Sequence, residues 1–229
     1  MFIPIGDTIP CINKPVVTWT LIGINVVLFL SLKLLDGATF IHILKLYGLV
    51  PRRYFDPAWA AGWNYPARNY LPLLSHMFLH ASWSHLLFNT WLIWIFADNI
   101  EDMMGKPRFL IFYLLCGVVA GLIHMAFNPD SQSATVGASG AIAGVLGAYF
   151  FLYPYGKVII WLLFLPIFIQ VPAVAFVGVW VIFQLNEATT AIVVGQPMDV
   201  AWWGHLGGFA CGCLLYRFFL IETKKPERA

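Results

Sequence analysis

Long apolar runs divided by short polar ones set the layout of this chain. Residues 16–35 are apolar almost without interruption. A more polar stretch, 36–69, follows and carries Arg52, Arg53, Asp56 and Pro66. Apolar runs resume over 84–99 (or from nearer Leu71), 108–127, 139–153 and 201–221. A helix crossing a bilayer needs about 20 mostly apolar residues, so each run is expected to form a membrane span. The stretch 158–185 is apolar throughout but broken by Pro166 and Pro172. It reads as one kinked helix, or as an interfacial segment followed by a shorter helix from about Pro172, and counts as one crossing. The expected fold class is an all-α membrane protein, a six-helix bundle forming a single membrane domain over residues 1–229.

Composition agrees with a membrane protein. Apolar residues make up 60% of the chain and charged residues 10%, against about 45–50% and about 25% in soluble domains. Mean hydropathy is +0.79. Too few polar residues are present to cover a soluble globule. This excludes an ordinary soluble enzyme and a disordered chain. The net charge of +2 makes no basic face, so no nucleic-acid partner is expected. The lipid bilayer is the solvent. Residues 1–15 hold three prolines and no basic cluster, and the first apolar run lacks a small-x-small cleavage pattern, so it reads as a retained helix. Cys116, Cys211 and Cys213 lie inside apolar runs and Cys11 stands alone. No disulfide framework and no cysteine metal site is expected.

Lys and Arg collect on the cytoplasmic side of membrane helices. With the N-terminus inside, the inner segments hold Lys14, Lys106, Arg108, Lys157, Arg217, Lys224, Lys225 and Arg228. Residues 1–15 and 222–229 are then cytoplasmic, and 36–70 is the first outer loop. That loop carries Lys45, Arg52, Arg53 and Arg68, but long loops weigh little under this rule. Trp202 and Trp203 suit an outer interface belt. Both termini are expected in the cytoplasm. A compact chain without a transit peptide points to a bacterial or archaeal plasma membrane.

Polar residues inside spans are costly and become functional candidates. His76, His80, His85 and Asn89 gather at the start of the second span; His76/His80 and His85/Asn89 are each four apart and share a face if helical. They read as structural hydrogen-bonding groups, as a metal pair, or as catalytic support. The metal reading is weak, because H-E-x-x-H is absent and no acidic ligand lies nearby. Gly137-Ala138-Ser139-Gly140 opens the fourth span, and Gly140 and Gly144 make a small-residue face. Ser139 is either a packing residue or a nucleophile at a helix N-terminus, where free amides stabilise an oxyanion. His205 shares a face with Gly208 and Gly212 and reads as an interhelical bond or a base. The second, fourth and sixth spans all begin on the outer side. His85, Ser139 and His205 therefore sit at one shallow depth, as a hydrolytic constellation requires. Asp130, Glu187 and Asp199 fall in outer connections, so the expected device is a Ser139–His205 dyad, with helix packing in place of an aspartate. His85, Asn89 and the Ser139 amide would hold the oxyanion.

The ordered set of motifs resembles the rhomboid family of intramembrane serine proteases over roughly residues 16–220. It comprises His76-Met-Phe-Leu-His80, then Ser84-His85-Leu-Leu-Phe-Asn89, the stretch from Phe96 through Glu101 to Gly105, Gly137-Ala-Ser139-Gly140, and His205 with Gly208 and Gly212. Pro172, Trp180 and Gln184 resemble the fifth helix of many bacterial members. The resemblance implies Ser139 as nucleophile and His205 as general base. It implies His85 and Asn89 as oxyanion residues, with His80 and Gly137 in support. It implies no metal and no cofactor, single-span membrane proteins as substrates, and a substrate gate over about 172–201. The chain departs from the family pattern in three places. Ala143 stands where many members carry an aromatic, Ala97 stands where glycine is common, and the first outer loop has no Trp-Arg pair. The oligomeric state is left open.

Overall fold

A computed structural model describes residues 2–66, 69–162, 165–194 and 200–221. Arg68, Asp199, part of the expected gate and the tail 222–229 with its three basic residues lie outside the described residues. Six long helices form the body: α1 (Val16–Lys33), α6 (Trp83–Met104), α7 (Lys106–Phe127), α8 (Ser139–Leu152), α9 (Ala173–Val194) and α10 (Trp202–Phe219). Four short helices occupy the connection after α1: α2 (Gly37–Tyr47), α3 (Arg52–Phe55), α4 (Pro57–Gly62) and α5 (Pro72–Ser75). Three helices, α1, α7 and the 173–191 part of α9, are long and apolar enough to cross a membrane. The chain is a multi-pass membrane protein.

Helix ends follow from local chemistry. Asp36 accepts from the Ala38 and Thr39 amides and starts α2, and Asp56 accepts from Trp59 and starts α4. Ser82 accepts from the His85 amide and starts α6. Gly105, at φ +74°, separates α6 from α7 in one residue. Helix α8 lies inside the bundle, with every residue from Ala141 to Tyr149 buried. By contrast α1 buries a single stripe, Thr18, Leu21, Asn25 and Phe29, at helical spacing. Its other residues are exposed or half-buried.

The first part of 158–185 is not helical. Strands β1 (Phe2–Asp7), β2 (Lys157–Leu162) and β3 (Ile167–Pro172) form an antiparallel sheet in the order β1-β2-β3. Ile3 pairs with Trp161, and Ile160 with Ile169. Pro166 cannot continue a helix, and the flanking Val and Ile residues favour strands. Val158 and Ile160 alternate inward and are buried. The helix then starts at Ala173, so the stretch is a non-helical segment followed by a shorter helix and not one kinked helix. The bundle is otherwise helical, and this small sheet closes one end of it. Asp7 accepts there from Asn99 (2.7 Å) and Tyr149 (2.8 Å), near the ends of α6 and α8. Burial pushes the Asp7 carboxyl above its ordinary range, against those bonds.

Candidate active site

The site lies at the end of the bundle away from the sheet, where α6, α8 and α10 begin. Glycines bring α8 and α10 together there. A Cβ on Gly208 would run into the Gly140 carbonyl, and one on Gly212 would run into the Gly144 backbone. Only hydrogen at these positions lets the two backbones touch, as the small-residue faces predict.

That contact sets the distance between Ser139, the first residue of α8, and His205, in the first turn of α10. The Ser139 hydroxyl lies 2.8 Å from His205 Nε2. On the other side of the ring, His205 Nδ1 is 2.7 Å from the Gln184 side-chain oxygen on α9. A carbonyl oxygen only accepts, so Nδ1 carries the hydrogen and Nε2 is free to accept from the serine. An imidazole in that tautomer can take the proton of a hydroxyl. Trp180 and Trp202 flank the ring, with centroids 6.2 and 6.1 Å away. Trp203 stacks instead on Phe127, 4.0 Å between centroids. His205 is thus held by α9 and Trp202, while Ala143, one turn after Ser139 on α8, is buried.

Gly137 adopts φ +118°, which L side chains rarely adopt, and a Cβ there would strike the His85 ring. The histidine therefore packs directly on the peptide two residues before Ser139. Asn89 donates to the His85 carbonyl at 2.7 Å; an amide nitrogen has two hydrogens, so one remains for another acceptor. His80 is fully buried with its ring edge to face against His85, 5.1 Å between centroids. His76 and His80 do not share a helix. The second long helix starts only at Trp83, and His76 opens a 3-10 turn, His76–Phe78. Its Nδ1 donates to the Pro72 carbonyl at 2.8 Å, and its own carbonyl accepts from the Gly137 amide at 2.8 Å. Leu49 pairs with Thr135 through two backbone bonds, tying the long connection to the loop before Ser139.

A cavity of about 20 Å³ lies behind Ser139, lined by His76, His124, Thr135, Gly137 and His205 among others. A water needs about 10–15 Å³ on this measure and two or more polar partners, so the cavity suits one. The 14 residues of α8 extend about 21 Å at 1.5 Å per residue, against a hydrocarbon core of about 30 Å. Helix α8 is thus about 9 Å shorter than that core is thick.

Two residues stand apart from the sequence expectations. Glu187 lies within α9 and not in a connection. Gln184, noted only for its resemblance to a fifth helix, bonds the catalytic-candidate histidine. Ala173, Val177, Gln184 and Ala188 are the buried residues of α9 among those described; Gln184 is the polar one, and that burial is not legible in the sequence.

A family model described as Rhomboid domain matches residues 67–222. The rhomboid protease GluP of Bacillus subtilis is 31% identical over 140 residues, 61% of this chain and 25% of that protein. The putative rhomboid protease YdcA of the same organism is 41% identical over 80 residues, 35% of this chain and 40% of that protein. Rhomboid protein 1, mitochondrial, of Saccharomyces cerevisiae is 27% identical over 162 residues, 69% of this chain and 44% of that protein. The matched stretches thus span a quarter to less than half of these relatives' lengths.

Proposed function

The chain belongs to the rhomboid family, and on that premise we propose that it is an intramembrane serine endopeptidase acting on single-span membrane proteins. The observation that carries this reading is the 2.8 Å contact between Ser139 Oγ and His205 Nε2. Ser139 Oγ attacks a peptide carbonyl as His205 Nε2 takes its proton. The carbonyl oxygen becomes an oxyanion, held by the free amides opening α8, by His85 and by Asn89, with Gly137 and His80 shaping their support. When the tetrahedral adduct collapses, the C–N bond breaks and His205 gives the proton to the leaving amine. Water then attacks the acyl ester with His205 again as base, releasing acid and free serine. The cavity behind Ser139 suits that water. No step requires a metal or cofactor.

The short α8 supports cleavage within the membrane but close to one surface. An intact substrate helix hides its carbonyls in hydrogen bonds, so helix-weakening residues near that depth should favour cutting. We assign the sheet end to the cytoplasm of a bacterial or archaeal plasma membrane, with both termini inside and the site toward the outside. Lys14, Lys106, Arg108, Lys157 and Arg217 at the sheet end support this.

The test uses purified protein in liposomes with a single-span substrate tagged at both ends, chelator present, wild type beside Ser139→Ala. Wild type alone is expected to give a cut fragment. Equal fragments from both, or loss of the wild-type fragment on adding chelator, would overturn the mechanism. No fragment, together with no fluorophosphonate labelling of Ser139, would replace catalysis with binding of membrane helices.

A further inference from the structure

Helix α9 meets the bundle along one narrow stripe. Ala173, Val177, Gln184 and Ala188 are buried, whereas Val179, Ile182, Phe183 and Leu185 are exposed. An amide in such a stripe is expensive unless paired, because neither lipid nor the apolar core can bond it. Gln184 is 3% exposed, and its oxygen lies 2.7 Å from His205 Nδ1. Trp180, one turn earlier on the same face, stands beside the same ring. The histidine thus has Ser139 on one nitrogen and Gln184 on the other.

We infer that Gln184 is the positioning residue of the site: its oxygen accepts the Nδ1 hydrogen of His205 and so keeps Nε2 unprotonated and aimed at Ser139. This rests on the reading of Ser139 as nucleophile and His205 as base. In soluble serine proteases a buried aspartate holds the imidazole tautomer in this way. A carboxylate at this depth would carry the added cost of an ion in hydrocarbon. A neutral amide supplies the acceptor and the geometry without that cost. It stabilises the imidazolium less, so its contribution is expected to be smaller than that of an aspartate. The alternative amide orientation would turn N–H hydrogens toward Nδ1, force the proton onto Nε2, and block the base.

The experiment compares wild type, Gln184→Met and Gln184→Glu in liposomes, recording kcat, KM, pH–rate profile and fluorophosphonate labelling of Ser139. Thermal melts check that each variant folds. Gln184→Met keeps the volume and loses the acceptor. It is expected to lower kcat and labelling rate about tenfold, the worth of one hydrogen bond, with KM unchanged. Gln184→Glu keeps the acceptor and adds a negative charge, which favours the imidazolium. It is expected to recover kcat at high pH and to move the acidic limb of the profile upward by about one unit. Wild-type kcat in folded Gln184→Met, or an unmoved acidic limb in Gln184→Glu, would overturn the inference. If Gln184→Met fails to fold, the acidic limb of Gln184→Glu decides alone. Wild type that neither cleaves nor labels would instead remove the Ser139–His205 reading itself, an outcome distinct from these.

Discussion

At Gly208 the absence of one methyl group holds the helices that carry Ser139 and His205 in contact. Its missing Cβ is replaced by the Gly140 carbonyl and the Ala120 side chain, one turn from His205 and beside Ser139. Gly208→Val should force α8 and α10 apart. Overpacking costs about 1–3 kcal/mol, and a shift of about 1 Å is enough to lose 10²-fold in rate. A lowered melting temperature and lost cleavage are expected together. Gly23→Val on α1 is the matched control, because nothing lies within 4 Å of its would-be Cβ; its activity should equal that of wild type. A Gly208→Val protein with wild-type kinetics would show that the helix contact does not set the Ser139–His205 distance. The residue types at this site were readable from the chain, since a glycine beside a polar residue in an apolar run has few explanations. Gln184 was not readable as His205's partner. It lies 21 positions earlier on a different helix, and no local spacing links them.

At the scale of elements, side-chain caps written in short polar motifs set the starts of α2, α4 and α6. Asp36 accepts from the Ala38 and Thr39 amides and from the Thr39 hydroxyl. These bonds, the Thr39 hydroxyl first, hold its carboxyl below the ordinary carboxylate range. A carboxyl lowered by folding contributes in full above its unfolded value of about 3.9 and is lost as pH falls through the lower folded value. Hydrogen exchange at Ala38 and Thr39, corrected for intrinsic rates, should therefore stay slow at neutral pH and rise only in acid. In Asp36→Ala it should be fast at every pH; unchanged protection in that variant would remove the cap from the account. Glu101 performs a similar task across elements. It sits near the end of α6 yet accepts from the Val17 and Thr18 amides that open α1. A carboxylate there suits the positive end of the helix dipole. The sheet was less legible. A short apolar run with two prolines fits a kinked helix and a strand pair equally, and the strand that pairs with it comes from the other end of the chain.

For the whole molecule, the question is which end faces which compartment. Every long helix except α9 has a basic residue at or near its sheet end: Lys14 before α1, Lys106 and Arg108 in the first turn of α7 just after the end of α6, Lys157 after α8, and Arg217 in α10. The site end carries the long connection, where Arg52 pairs with Asp56 at 3.0 Å. With the sheet end cytoplasmic, a membrane-impermeant maleimide should label Ala61→Cys in intact cells and Lys157→Cys only after lysis. Both positions are exposed. The reverse pattern would invert the orientation and move the site to the other surface.

Periodicity, composition and motif order alone determined that the chain crosses a membrane, roughly where its helices lie, and that Ser139, His205 and His85 share one level. Those properties are local: an apolar run of given length must span, and alternating spans must begin on alternating sides. The tertiary structure decided what depends on distant parts meeting. It placed α8 at the centre, set Gln184 against His205, and closed the far end with a sheet built from both halves of the chain. Each of these rests on packing and hydrogen bonds between segments tens to more than a hundred residues apart, and their pairing leaves no trace in any single stretch of sequence.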